Sequence, residues 1–149
     1  VLGLNVTTSI PKGLDVRETI ERIHEAEGIA IAAHPGAIFK KSLGSGILKC
    51  VTRIDALEVI NSSTFPFFLS TWQNRRLASL MHLPQTAGSD SHIPETIGLA
   101  YTIIDAEPDI CSVVRAIESG STTPYGYATP VRLRLKNISE RKKIGEKPF

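Results

Sequence analysis

The sequence predicts an α/β fold with a mainly parallel sheet, open or closed as a barrel, and two observations support this prediction. Segments with helical spacing of apolar residues alternate about four times with short apolar segments of strand length. The segment Ile29–Ala33, "IAIAA", is apolar without alternation, which is typical of a strand covered on both faces. With 149 residues, 42% of them hydrophobic, the chain is long enough for one domain with a sizeable core.

The first two elements are predicted from capping residues and from the apolar pattern. The opening letters, "VLGLNV", indicate a strand already under way, so we expect that N-terminal strands of the fold are missing from this sequence. A helix is expected to begin at Asp15, where Glu18 three residues later completes a capping box, and to end near Gly28. The apolar stripe of this helix comprises Val16, Ile20 and Ile23.

The remaining elements continue the alternation. In order, we predict a short helix at 47–52, a strand at 55–61, a helix at 67–81, strands at 85–87 and 100–105, and a helix at 110–119. In the helix at 67–81, the bulky apolar side chains of Phe68, Trp72 and Leu80 are expected to face the core. The last helix is expected to stop at Gly120.

Polar residues follow three of the predicted strands. His34 follows "IAIAA", Asn61 ends "DALEVIN", and Asp90 and His92 follow "QTAGS". In a parallel sheet these carboxyl ends share one edge, where reacting groups gather. If the chain is extended there, Asp90 and His92 point to the same side. Nitrogen and oxygen donors of this kind suit Zn, Mn or Fe. Cap and turn roles for all four residues stay open as alternatives.

Several classes of protein are not indicated. No apolar run approaches the roughly 20 residues of a membrane span, and no export signal is visible. "GSG" at Gly44–Gly46 matches neither the P-loop nor the dinucleotide fingerprint. Cys50 and Cys111 lack metal-type spacing and are expected to be reduced and mostly buried. These features predict a cytoplasmic protein that does not enter a membrane.

Charge is unevenly distributed along the chain. The net charge is +2, yet residues 131–149 carry seven Lys and Arg against two Glu. We therefore predict a domain at 1–135 and a basic C-terminal tail at 136–149. Such a tail either attracts a polyanion or is simply solvated, and it has no interleaved aromatic residues to stack bases.

Three segments, in this order, resemble the later motifs of the PHP (polymerase and histidinol phosphatase) family: "IERIHEAEGIAIAAHPG", "IDALEVINS" and "LPQTAGSDSHIPETIGLAYT". The resemblance extends over about residues 2–134. It implies part of a distorted (β/α)7 TIM-like barrel, with two or three divalent metal ions in the complete domain. It also implies that His34, Asp90 and His92 are metal ligands. Asn61 stands where some members carry another His, so it is a candidate for cofactor binding.

The resemblance further implies a metal-dependent phosphoesterase. Its substrate would be a small phosphomonoester or a nucleotide-type phosphodiester, hydrolysed by metal-activated water with Asp90 and His92 as catalytic residues. The loop at 39–47 is a candidate for specificity. The HxH motif and the Glu that such domains carry earlier are not recognised here, so full activity from this chain alone is not expected.

Two other functions stay open, and so does association of the chain with further copies of itself. A non-catalytic RNA-binding PHP-fold subunit would use the basic tail. An amidohydrolase-type metal hydrolase shares the barrel and the ligand types. Missing strands would also leave an open sheet edge, through which the chain could form an oligomer.

Overall fold

Strands and helices alternate along residues 1–36 and 53–143, the part of the chain that the computed structural model describes. In chain order they are β1 Leu2–Leu4, α1 Val16–Glu25, β2 Ile29–Ala32, β3 Ala56–Asn61, α2 Phe67–Leu80, β4 Gln85–Gly88, β5 Ala100–Ile104, α3 Ile110–Ser119, β6 Thr122–Gly126 and α4 Val131–Lys143. A 3₁₀ turn, Pro94–Thr96, follows β4. The predicted helix at 47–52, the loop at 39–47, Gly44–Gly46 and Cys50 lie outside the described residues.

The main sheet has four strands in the order β1-β2-β3-β4. β2, β3 and β4 are parallel neighbours, whereas β1 pairs with β2 in the antiparallel sense. The prediction of an α/β fold with a mainly parallel sheet is therefore confirmed. The barrel of which this sheet would form a part stays a prediction.

The strand predicted at 100–105 is present as β5, but it does not join the main sheet. β5 instead pairs antiparallel with β6, a strand that the pattern does not predict, and the two form a separate sheet. The hydroxyl of Thr102 donates to Ala87 O and accepts from Ala87 N–H, so β5 contacts β4 through a side chain. Pro124 within β6 lacks the N–H that a strand normally donates, which explains why the segment resembles a loop.

The main sheet is covered on both faces, as the apolar run in β2 predicts. Ala30 and Ala32 pack in a cluster with Ile20 and Ile23 of α1, on one face. Ile29 and Ile31 lie in a second cluster with Ile117 of α3, on the other face. α1 begins with the predicted capping box of Asp15 and Glu18, and α3 ends at Gly120 with a φ of 78°.

Helix α2 packs through small residues, contrary to the sequence prediction. Phe68, Trp72 and Leu80 are 83%, 56% and 70% exposed. The buried residues are Ser70, Asn74 and Ala78, which are spaced by four and so lie on one face of the helix. The half-buried Phe67 and Leu77 of the same helix also pack against the core.

Two further sequence predictions concern the cysteines and the border between domain and tail. Cys111 is exposed, whereas both thiols were expected to be mostly buried. Helix α4 runs across residue 135, where the border between domain and tail was predicted, and that border stays a prediction. Within the described residues, no helix combines the length and apolar character needed to cross a membrane.

Candidate functional site

The three parallel strands end at one edge of the sheet, and the polar residues predicted from the sequence lie there. Asn61 is the last residue of β3 and is paired with Gly88, the last residue of β4. The side-chain Nδ2 of Asn61 donates to Asp90 Oδ2 at 3.3 Å. Asp90 Oδ1 in turn lies 3.6 Å from His92 Nε2. The structure therefore brings Asn61, Asp90 and His92 into one group.

Glu58, inside β3, joins this group to the end of β2. Its Oε2 accepts from the backbone N–H of His34 at 2.8 Å and from Asn61 Nδ2 at 3.0 Å. Glu58 is only 5% exposed, so the carboxylate is held by these donors rather than by bulk water. The contact between His34 and Glu58 is made by the main chain of His34. Glu58 is absent from the predicted site residues, although a charged residue within an apolar strand is a signal that would have indicated it.

A local irregularity in β3 explains why Glu58 and Asn61 meet. Side chains three residues apart in a regular strand point to opposite faces of the sheet. Here Glu58 pairs with Thr86 and Ile60 pairs with Ala87, so β3 contains one residue more than β4 over this stretch. This β-bulge at Val59 reverses the alternation and allows the Asn61 amide to reach the Glu58 carboxylate.

Gly88 provides the space for the Glu58 carboxylate. A Cβ atom added to Gly88 would lie 2.5 Å from Glu58 Oε1, closer than such atoms approach in proteins. Any other residue at this position would displace the buried carboxylate. The glycine before "SDSH" is therefore needed for close packing at the site.

The chain turns sharply at two site residues. Asp90 has a φ of 49° and His34 a φ of 32°, both in the left-handed region. The extended conformation on which the predicted alignment of Asp90 and His92 depended is therefore wrong, although the two side chains remain neighbours. Asp and His are among the non-glycine residues that adopt this region most readily, and such strain is frequent at functional sites.

Asn74 of α2 supports the loop that carries His34. It is buried, and its Oδ1 accepts from Gly36 N–H at 2.9 Å. Its Nδ2 donates to the main-chain oxygen of Glu58 at 3.4 Å. One amide side chain thus connects the loop after β2 to the centre of β3.

The donor set fits a divalent cation in part. Adjacent ligand atoms on a zinc ion, each at about 2.1 Å from the metal, are separated by roughly 3–3.5 Å, close to the separation of Asp90 Oδ1 and His92 Nε2. The Asn61 amide donates to the carboxylates of both Glu58 and Asp90. Two carboxylates this close together make this edge of the sheet locally negative. Among the described residues, no group of three or more His, Cys, Asp or Glu side chains has a metal-binding arrangement. Asp90 and His92 therefore fit two adjacent ligand positions.

The two loops of the site also contact helix α4. Arg134 donates to main-chain oxygens of the loop after β3, and Lys136 forms an ion pair with Glu95 in the 3₁₀ turn after His92. Burial lowers the pKa of Arg134 from its usual value, but a guanidinium remains charged at neutral pH. Neither contact follows from the residue pattern, which predicts a basic tail from residue 136 onward.

Comparison with known proteins supports the relationship predicted from the sequence motifs. Residues 71–122, which include Asp90 and His92, match the family described as PHP-associated. Over 62 residues, the chain is 44% identical to the uncharacterized protein MJ1587 of Methanocaldococcus jannaschii, and this stretch is 42% of the chain and 35% of that protein.

Two solved structures share the fold. One is a two-domain protein from Bacteroides vulgatus containing a predicted PHP-like metal-dependent phosphoesterase, with a TM-score of 0.62, 14% identity, and coverage of 87% of this chain and 41% of that protein. The other is PsfC from Pseudomonas syringae, with a TM-score of 0.61, 20% identity, and coverage of 84% and 52%. The chain thus spans between 35% and 52% of the length of the proteins it matches. The predicted relationship is confirmed: this chain carries a PHP-associated region at residues 71–122 and shares its fold with a PHP-like protein.

Proposed function

We propose that the protein is a metal-dependent phosphoesterase and that Asp90 and His92 hold a divalent cation at the carboxyl edge of the sheet. The observation that carries this proposal is the 3.6 Å separation of the Asp90 carboxylate and the His92 imidazole, next to the amide of Asn61. When bound, a Zn, Mn or Fe ion of this kind lowers the pKa of water and neutralises charge on a phosphoryl group.

The residues of the group differ in how accessible they are to a ligand. The side chains of Asp90 and His92 are 27% and 34% exposed, so a ligand from solvent reaches both. Glu58 is buried and already accepts two hydrogen bonds. We therefore assign cation binding to Asp90 and His92, which makes them the proposed catalytic residues. Asn61 orients the Asp90 carboxylate, and Glu58 fixes Asn61 together with the backbone of His34.

The His34 imidazole is proposed as a further metal ligand, on the strength of the "AHP" motif. Its loop is fixed at two points, by Glu58 at His34 N–H and by Asn74 at Gly36 N–H. The substrate class proposed is a small phosphate ester or a nucleotide, and the cytoplasm is the proposed location.

Metal analysis and a phosphatase assay on the full-length protein test this function. Asp90→Asn keeps the shape of the side chain but removes its charge, so we expect loss of bound metal and of p-nitrophenyl phosphate hydrolysis. Asp105→Asn is the matched control, because Asp105 is exposed and follows β5 at the amino end of β4, away from the site. Wild-type metal content and turnover in Asp90→Asn would contradict the proposal.

The same preparation addresses the alternative functions. Hydrolysis of amides or lactones without hydrolysis of phosphate esters would indicate an amidohydrolase-type enzyme. Salt-sensitive RNA binding without metal or turnover would indicate a non-catalytic RNA-binding subunit.

A further inference from the structure

The loop that follows β3 determines where the Asn61 amide points. Asn61 Oδ1 accepts from Ser63 N–H at 3.1 Å, and its main-chain oxygen accepts from the Thr64 hydroxyl at 2.8 Å. The opposite end of the amide, Nδ2, donates to the carboxylates of Glu58 and Asp90. Rotation of the loop would therefore rotate the amide away from both carboxylates.

Four main-chain oxygens converge on the guanidinium of Arg134. Nη2 donates to Ser62 O at 3.0 Å and to Thr64 O at 2.9 Å, and Nη1 donates to Ser63 O at 3.0 Å. Nε donates to Thr129 O at 2.9 Å. Three successive carbonyl groups that point the same way repel one another, and a cation with several donors compensates for that repulsion.

The geometry of these contacts specifically requires arginine. Its planar guanidinium presents donors in fixed directions, whereas the lysine ammonium is a single point that cannot reach several separated oxygens. The guanidinium carbon also lies 5.8 Å from the ring centroid of Phe65, within cation–π range. Arg132, two residues earlier on α4, is exposed and provides a comparison on the same helix.

The same loop also holds the segment after β4. Ser62 Oγ donates to Ser89 O at 2.8 Å, and Ser62 N–H donates to Gly88 O at 3.2 Å. Thr129 N–H donates to Ser62 O at 2.8 Å, so the residues before α4 reinforce this contact. Arg134 thus supports both segments that carry the group at the sheet edge.

We propose that Arg134 is a positioning residue for the site: it fixes the loop at 62–64 and thereby holds Asn61 against Asp90. This inference rests on the proposed function for its effect on turnover. It assigns helix α4, which begins within the predicted domain and runs into the predicted basic tail, a direct part in building the site.

The test uses the full-length protein with Arg134→Lys and Arg134→Ala, and Arg132→Lys as the matched control. Hydrogen exchange of peptides covering 61–66 and 89–92 reports on the loops, with β2 as internal reference. We expect exchange about 10- to 100-fold faster in these two peptides and unchanged in β2, because hydrogen bonds from a charged donor are lost. The kcat for p-nitrophenyl phosphate should fall by a similar factor of about 10 to 100 with little change in KM, since Asn61 would no longer orient Asp90.

A merely structural role for Arg134 predicts a different pattern. Faster exchange throughout the chain, with kcat unchanged, would overturn the inference, as would wild-type exchange and turnover in Arg134→Lys. Partial recovery of kcat in Arg134→Ala on addition of millimolar guanidinium, which Arg132→Ala should not show, would support it.

Failure of the proposed function is distinguishable from failure of this inference. If the wild type binds no metal and hydrolyses no phosphate ester, the phosphoesterase proposal fails. The exchange measurement then decides the positioning role by itself: faster exchange confined to the two loop peptides supports it, and any other pattern overturns it.

Discussion

Replacement of Asn74 by Ala should uncouple the loop carrying His34 from the sheet. Asn74 is buried on α2, and its amide is the link between Gly36 N–H and Glu58 O. Ala keeps the helix intact, because it has the best helix propensity of all residues. The change therefore removes the two side-chain contacts and leaves a small cavity where the amide was buried.

The structure sets the expected magnitude. Loss of the 2.9 Å bond leaves the Gly36 N–H without its acceptor, which costs about 1–3 kcal/mol at a part-buried position. The second contact, at 3.4 Å, is long and adds less. We expect the free energy of unfolding to fall by about 2 kcal/mol in total.

Urea denaturation followed by circular dichroism measures this change, with Ser70→Ala as control. Ser70 lies one turn earlier on the same buried face, and its hydroxyl has no hydrogen-bond partner among the described residues. Removal of that hydroxyl should leave stability within about 0.5 kcal/mol of the wild type or raise it. Equal losses in the two variants would show that helix packing, and not the Asn74 amide, accounts for the effect.

Three other predictions follow from the site and its surroundings. Gly88→Ala should force the Glu58 carboxylate to move, with a loss of about 1–3 kcal/mol in urea denaturation; wild-type stability would refute the close packing. Asp90→Val should lower the thermal midpoint more than Asp90→Asn, because a β-branched residue tolerates a φ of 49° poorly. The hydrogen bond from Lys136 lowers the pKa of Glu95, so the stability this pair adds is present above the ordinary Glu pKa and is lost as the pH falls through the lowered value. Glu95→Gln should flatten that acidic part of the thermal stability profile, and an unchanged profile would show that the pair contributes nothing.

The elements that could be predicted from the sequence are those specified by local signals. The capping box of Asp15 and Glu18, and Gly120 with its positive φ, mark the start of one helix and the end of another independently of the rest of the fold. The unbroken apolar run at Ile29–Ala32 likewise predicts its burial on both faces.

The features that could not be predicted depend on tertiary contacts. Phe68 and Trp72 have the bulk expected of core residues, but the helix approaches β3 through Ser70, Asn74 and Ala78, so the aromatic rings lie outside. β6 contains a proline and alternates weakly, and its strand conformation depends on pairing with β5.

The residues of the candidate site likewise fall into those that the sequence pattern locates and those that it does not. His34, Asn61, Asp90 and His92 could be placed at one edge of the sheet because each lies at, or shortly after, the carboxyl end of a strand. Arg134 acts across 70 to 72 residues of sequence, so no local pattern connects it to the site, whereas the charge of Glu58 within an apolar strand is a local signal that the prediction did not use.

The extra residue at Val59 has a consequence for anyone transferring this constellation to another scaffold. An uninterrupted strand grafted with Glu at one position and Asn three positions later would display them on opposite surfaces, one towards each layer of helices. Deleting Val59 here would place Glu58 and Asn61 two positions apart in a regular strand, on the same face, so amide and carboxylate should stay together while the core loses the Val59 side chain. Engineers seeking this arrangement therefore need either the extra residue, with Glu and Asn three positions apart, or a regular strand in which the two residues are spaced by two.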